Sequence, residues 1–534
     1  MKLLHAPYPT RRKPTLAGNG VVATSQPLAA QAGLDILRRG GNAIDAAVAA
    51  AATLTVVEPT SNGIGGDLFA LVWDGNELHG LNASGRAGAA ASPERLRAKG
   101  AISMPELGWD SVTVPGGPNG WSMLMERFGS MSLADVLAPG ATYAQEGYPV
   151  SPTVSQLWAV AAKRYLAQSG PEYAGWREVF APGGTPPAAG ERWSSPAHAA
   201  TLRRLGEVGT QDFYTGKIAE QILAYSKATG GSLTADDFAV HKGEWVQPIS
   251  TNYRGYDVWE IPPSGQGIAA LMTLKMLEEY DLAGMGQVSA ESWHLQMEAM
   301  KVAFVDAHRY VADPNVVSVP THTLLSPEYI ASRRAQIGDV AKIHTPGALP
   351  KGGTVYLCTA DRDGRMVSLI QSNYQGFGSG IVVPEAGIAL HNRALGFTLE
   401  QGHPNEFAPG KRPFHTIIPG FVTRGAQALG PFGVMGAPMQ PQGHAQVIIG
   451  TVDHGLNPQA ALDAPRWRVL EGLDAVVELE TPHDVYRGLV ARGHRLLEPS
   501  ETYAFGRGQI IWRLDDGVYV AGSEPRADGC VAAY

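Results

Sequence analysis

Hydrophobic and polar positions divide the chain into a helix-rich two-thirds followed by a strand-rich third. Ser25 is placed to cap a helix that tolerates Pro27 in its first turn and stops near Gly40. Ala43 to Val57 is the longest apolar stretch, with Asn42 as its cap and Pro59 just beyond its end. It is too short to span a bilayer and contains Asp45, so it predicts a helix buried in a core. Leu68–Trp73 and Glu77–Leu81 flank Asp74-Gly75-Asn76 and predict a β-hairpin. Further helices are predicted at about 117–128, 195–206, 217–228 and 266–281, with a longer one from about Glu291 to Val311. Ser169–Trp193 is rich in glycine and proline and predicts a surface loop. From about Thr354 strand patterns dominate. Helices and strands gathered in separate runs argue for an α+β fold, or for helices flanking packed antiparallel sheets.

Composition narrows the function. Among 534 residues, Lys+Arg number 42 and Asp+Glu 50, a net charge of −8 with no basic block. That excludes the electrostatic footprint of a nucleic-acid binder. Hydrophobic residues at 44% and charged residues at 17% describe a globular chain and not a disordered one. Two cysteines, Cys358 and Cys530, exclude a disulfide framework and a cysteine-based zinc site. No apolar segment follows Leu3 and Leu4, so a signal peptide is not expected, and a cytoplasmic enzyme without membrane partners is the default. There is no HExxH, no GxSxG, and Gly216-Lys217 runs into Ile218, so it is not a phosphate loop. Gly63-Ile64-Gly65-Gly66-Asp67 fits a sharp turn, either structural or one that offers backbone N–H groups to a ligand.

The segment that can carry chemistry begins at Gly352-Gly353-Thr354. Thr354–Ala360 is apolar on both faces, Asp361–Gly364 reads as a turn, and the chain returns from Arg365 to Asn373. Pairing Ala360 with Arg365 sets Thr354 opposite Gln371, beside Ser372. A threonine after two glycines at the head of a buried strand suits a self-processing hydrolase. Flexible glycines let the Gly353–Thr354 bond distort, and the hydroxyl can attack the preceding carbonyl to give an ester that water hydrolyses. The α-amino group so released, with a pKa near 7.7–8.0, can act as base for the same hydroxyl. A loop entering a sheet explains the same three residues without chemistry.

Across nearly its whole length the chain resembles the γ-glutamyltransferase (glutathione hydrolase) family. The resemblance is carried by Val22-Ala23-Thr24-Ser25, Gly40-Gly41-Asn42-Ala43-Ile44-Asp45-Ala46 and the Gly63–Asp67 turn. Val112–Gly116, Pro262–Gly265, Ala303–Asp306 with Asp313-Pro314, and the hairpin follow in order. Gly378–Val382, Lys411–Pro413, Asn457–Gln459 and Ala464–Arg466 complete the series. The resemblance implies an αββα sandwich made as one precursor and cleaved before Thr354. The products would be a large subunit (1–353) and a small subunit (354–534) interleaved in one domain, with a dimer of these pairs possible. It makes Thr354 the nucleophile, Ser372 the hydroxyl that supports it, and Arg86 the ligand of the substrate carboxylate, a role a guanidinium fork suits. The expected substrate is a γ-glutamyl or related amide with water as acceptor. No cofactor or metal is expected.

Several positions depart from the family pattern. Tyr374 stands where the family has an asparagine in the substrate pocket, and Gly396 where an acid holds the substrate ammonium. His415-Thr416 replaces a Ser-Ser pair, and Gly436-Ala437-Pro438 replaces the twin-glycine oxyanion loop ahead of His444. The Gly396–Arg412 segment is shorter than the family's lid-bearing one. These departures resemble the lidless branch, which holds γ-glutamyltransferase-like hydrolases and glutaryl-type cephalosporin acylases. They predict an open site, hydrolysis over transfer, and weak discrimination between γ-glutamyl and glutaryl groups. Backbone N–H groups of Gly436 and Ala437 are the expected oxyanion donors. His415 and His444 fit either a pocket lining or a hydrogen-bonded structural role.

Overall fold

The computed structural model describes residues 12–344, 353–499 and 502–534. Two seven-stranded antiparallel sheets form its centre. One runs Thr15–Ala17, Tyr519–Ser523, Arg507–Arg513, Gln427–Met435, Gly420–Arg424, Tyr256–Glu260, Ile249–Tyr253. The other runs Cys530–Ala533, Gly20–Thr24, Gly353–Asp361, Met366–Tyr374, Asp67–Trp73, Leu78–Asn82, Glu244–Val246. Strands from both ends of the sequence interleave in each sheet, so the described residues before and after Gly353 share one body.

Alternation along the strands explains the layering. In Gly353–Asp361, Val355 and Leu357 pack under the helices Pro27–Arg38 and Ala43–Val57. Tyr356, Cys358 and Ala360 point the other way, into a second core between the sheets with Phe421, Met435 and Ile511. A third core joins the outer face of the first sheet to the helices Gly267–Leu277, Ala290–Tyr310 and Met439–Val452. The result is the expected helix–sheet–sheet–helix sandwich. The strands are apolar on both faces because both faces are covered.

Ala43–Val57 forms as predicted, wholly buried, with a capping box between Asn42 and Asp45. The first helix is capped differently. Gln26, not Ser25, accepts from the N–H groups of Leu28 and Ala29, while Ser25 Oγ donates to buried Glu58 at 2.5 Å. Ser169–Trp193 is not simply a surface loop. It contains the helix Ala174–Phe180, whose Trp176 packs edge-on against Phe377, beside Trp158 and Phe180. Glycines and prolines at its flanks hide this short helix from a composition reading. Among the described residues no helix is long and apolar enough to cross a membrane.

Candidate active site

The hairpin Gly353–Asp361/Met366–Tyr374 carries the predicted nucleophile, with its register one residue away from the expected one. Ala360 pairs with Met366, and the ladder shifts between Gly353 and Val355, where Gly353 pairs with Tyr374. Asp361 causes the difference: its carboxylate accepts the N–H of Asp363 and of Arg365, which closes the turn and keeps Arg365 out of the ladder. Gln371 consequently faces the helix layer, where it meets Trp121 and Asn62 at 2.9 Å each. Ser372 takes the place across from Thr354, and their hydroxyl oxygens stand 3.2 Å apart. Both point into the space between the sheets, on the face shared by Tyr356 and Ile370.

The backbone beyond Ser372 is shaped around this pair. The Tyr374 N–H donates to Ser372 Oγ at 2.8 Å, and Tyr374 has a φ of 74°, costly for a residue with a side chain. The glycine-rich turn presses on the same residues: a Cβ on Gly66 would lie 2.5 Å from the Ser372 carbonyl oxygen. Tyr165 holds the following loop by donating to Gly378 O at 2.9 Å.

Asp67, which ends that turn, is the electrostatic centre of the site. One carboxylate oxygen accepts the N–H groups of Gly85 and Gly116, both at 3.1 Å. The other meets His415 Nε2 at 3.1 Å, with His391 Nδ1 at 3.5 Å and Arg393 Nε at 3.8 Å. All four side chains are fully buried. Burial alone would raise the Asp67 pKa, but His391, His415 and Arg393 hold it well below the carboxylate range. His415 is pushed down to about 3 by burial and by the Arg393 charge. Neutral His415 accepts the Ile417 N–H on Nδ1 at 3.4 Å, so its Nε2–H donates to Asp67. Burial lowers Arg393 to about 10, which leaves it cationic at neutral pH.

Arg393 links this centre to the nucleophile. Its guanidinium lies 4.3 Å from the Tyr374 ring centre, and Nη1 donates to Thr416 Oγ1 at 2.9 Å. Gln266 Nε2 bridges the Thr416 and Ala437 carbonyls at 2.6 and 2.8 Å. Ala437 has a φ of 52° and precedes the helix Met439–Val452. Among the described residues neither Gly436 nor Ala437 donates its N–H to a hydrogen bond.

Thr354, Ser372, Tyr374, His415, Thr416, Gly436 and Ala437 are thus joined by direct contacts, short bridges or chain continuity. His444 is not. Its Nδ1 pairs with Glu260 at 2.6 Å and its ring packs on Phe432, on the helix-covered face of the opposite sheet. Arg86 is engaged by acids: Nη1 meets Asp313 at 2.8 Å and Nη2 meets Glu244 at 2.9 Å. In the continuous chain Thr354 is buried, only 1% exposed. Sequence reasoning gave no role to Asp67, His391, Arg393 or Asn373. Buried charge is a signal of tertiary packing, and no local spacing announces it.

The buried neutral histidines set a pH dependence. His415 sits near 3, and His198, His241 and His308 near 4, each mainly through burial. In the unfolded chain they titrate near 6.5, so below that pH the unfolded state binds more protons. Stability should be level above about pH 7 and fall with acid, each histidine adding up to about 1.4 kcal/mol per pH unit. The thermal midpoint measured at pH 8 and at pH 5 checks this, and equal values would contradict it.

A family model described as gamma-glutamyltranspeptidase matches residues 29–534. The chain belongs to the gamma-glutamyltranspeptidase family. It is 36% identical to the glutathione hydrolase-like YwrD proenzyme of Bacillus subtilis, over 97% of this chain and 99% of that one. It is 32% identical to the oxamate amidohydrolase proenzyme of Klebsiella pneumoniae, over 97% and 98%. Among solved structures, a cephalosporin acylase from Bacillus halodurans superposes with a TM-score of 0.95 at 52% identity, covering 99% of this chain and 98% of that one. The fold is therefore that of the N-terminal nucleophile hydrolases, and the protein is an enzyme of that group.

Proposed function

We propose that the chain is a self-processing threonine amidohydrolase whose acyl group passes from a small amide to Thr354 and then to water. The 3.2 Å approach of Ser372 Oγ to Thr354 Oγ1, at a strand head directly after Gly353, carries this reading. In the precursor, Thr354 Oγ1 attacks the Gly353 carbonyl carbon, the peptide nitrogen leaves with the hydroxyl proton, and water hydrolyses the ester. The new α-amino group then takes the Oγ1 proton as the hydroxyl attacks a substrate amide. The C–O bond forms, the C–N bond breaks, and the amine leaves with that proton. Water repeats the sequence on the ester, releasing the acid and restoring Thr354. Ser372 steadies the developing oxyanion of Thr354, and the Gly436 and Ala437 N–H groups receive the carbonyl oxygen.

γ-Glutamyl amides such as glutathione are one substrate class of this reading. Amides of other small acids are the second, favoured by Gly396, which offers no acid to an α-ammonium and where a Cβ would meet Phe414 O at 2.2 Å. The names of the relatives, a glutathione hydrolase-like proenzyme, an oxamate amidohydrolase and a cephalosporin acylase, are compatible with both.

Water is the acceptor on this reading. The short segment after Gly396 folds down on the helix Pro93–Ala98, with Phe397, Leu399 and Phe407 packed on Leu96 and Arg97 bound to Leu399 O. It does not supply a cover that would exclude water from the ester while an amine entered. With γ-glutamyl anilide at about pH 8, where about half or more of the α-amino group is unprotonated, glutamate should be nearly the whole product. Excess Gly-Gly should add little rate. A several-fold acceleration with γ-glutamyl-Gly-Gly as main product would show a transpeptidase instead.

A further inference from the structure

Two histidines and a glutamate that take no part in the contacts around Thr354 meet on another helix. His294 and Glu298 are four residues apart on Ala290–Tyr310, so they share one face. His494 follows the helix His483–Ala491, and its Nε2 lies 2.9 Å from His294 Nδ1. One ligand atom from each of the three residues lies within 4.8 Å of the others, and all three residues are buried.

The hydrogen bonds fix which nitrogens are bare. His294 Nε2 stands 2.7 Å from Gly338 O, which can only accept, so Nε2 carries the hydrogen. Burial lowers the pKa of both rings and keeps them neutral. His294 Nδ1 is therefore a free lone pair, oriented by a backbone carbonyl on the far side of the ring, as in metal-ligating histidines. His494 spends its Nε2–H on that lone pair, while its Nδ1 is buried with no hydrogen-bond partner among the described residues. Moving the proton to Nδ1 bares Nε2 and gives up only the bond between the rings. Their 2.9 Å separation is a few tenths short of the edge of a zinc tetrahedron, about 3.3–3.4 Å for bonds of about 2.0–2.1 Å.

Glu298 supplies the anion. Lys301 binds its Oε1 at 2.8 Å, and Oε2 accepts the Lys342 N–H and faces His344 Nε2, both at 3.1 Å. Lys301 already balances the carboxylate, so a further cation must be held by lone pairs more than by charge. Imidazole nitrogens select zinc over calcium or magnesium. The exposed cluster of Asp74, Glu77 and His79 is no rival, because Arg127 Nη2 lies 3.0 Å from His79 Nδ1 and the Asp74 carboxylate caps its own turn.

We infer that His294 Nδ1, His494 Nε2 and Glu298 hold a zinc ion, with His344 as the fourth ligand. His294 and Glu298 precede Gly353 in the chain and His494 follows it, so the ion ties together the two fragments of a cleaved chain. No step of the amide chemistry passes through it, and the site does not depend on cleavage.

The test uses the untagged full chain, incubated with zinc chloride and dialysed against metal-free buffer at about pH 7.5, where neutral imidazoles are free to bind. Elemental analysis should find one zinc per chain. His294→Gln and His494→Gln should each bind zinc about a hundredfold or more weakly, beyond the cost of losing an outer partner. His344→Gln should weaken binding as well, and His79→Gln should keep the wild-type affinity. Zinc should raise the thermal midpoint of wild type by a few degrees, and EDTA should reverse the rise, because the unfolded chain has no assembled site. Should the variants fail to fold, that shift decides. A dialysed wild type without zinc, an equal affinity in folded His494→Gln, or no shift in midpoint overturns the inference, and Lys301 is then the one cation this cluster takes. Zinc retained by a chain that stays uncleaved would end the self-processing reading and leave this site standing.

Discussion

Thr354→Ala is expected to yield one full-length chain with no measurable amidase activity. Both outcomes follow from one oxygen. On the proposed mechanism, self-cleavage needs the Oγ1 attack on the Gly353 carbonyl, and turnover needs the same atom as acyl acceptor with the released amine as its base. Removing a nucleophile typically costs on the order of a millionfold in kcat, which places residual activity below detection. Wild type should separate into two fragments on a denaturing gel, the smaller beginning at Thr354 by N-terminal sequencing. Thr354→Ser keeps the hydroxyl and should cleave and turn over at reduced rates. Loss of the Ser372 hydroxyl alone, in Ser372→Ala, should slow both steps without abolishing them. A cut at the same bond in Thr354→Ala, or a different N-terminus in wild type, would remove Thr354 from the mechanism.

Much of the scaffold was legible because its signals are local. Asn42 and Asp45 announce a capping box, and Asp74-Gly75-Asn76 between two apolar runs announces a hairpin. The place of Thr354 near the head of a buried strand was legible for the same reason: two glycines and a doubly apolar strand sit beside it in sequence. The hairpin register was missed because the Asp361 side chain, not the loop length, decides where pairing begins. The charged centre was invisible because Asp67, His391, Arg393 and His415 meet only through the tertiary fold. Sequence departures at Tyr374 and Gly396 marked the neighbourhood of Arg393 without marking Arg393. Arg86 shows the reverse: a motif position suggests a ligand-binding role, while the fold surrounds it with Asp313 and Glu244.

Asp67→Asn should destabilise the protein strongly, although the change replaces one oxygen by nitrogen. Asn can keep its oxygen toward the Gly85 and Gly116 N–H groups. Its amide nitrogen would then face His415 Nε2–H, donor against donor, at a spacing of 3.1 Å. Shifting the His415 proton to Nδ1 relieves that clash and creates another, with the Ile417 N–H at 3.4 Å. Neither tautomer satisfies both contacts. Arg393 meanwhile loses the buried anion nearest to it. Breaking a buried pair in this way typically costs about 3–5 kcal/mol, a large share of the 5–15 kcal/mol that holds a protein folded. A thermal midpoint lowered by several degrees is the first readout. The second is a double-mutant cycle. With Asp67 neutralised, Arg393→Gln should cost less than in wild type, because an unpaired buried cation is then being removed, and the two changes should couple by about 0.5–3 kcal/mol. Additive losses, or a wild-type midpoint in Asp67→Asn, would show that Asp67 is no counter-charge to Arg393.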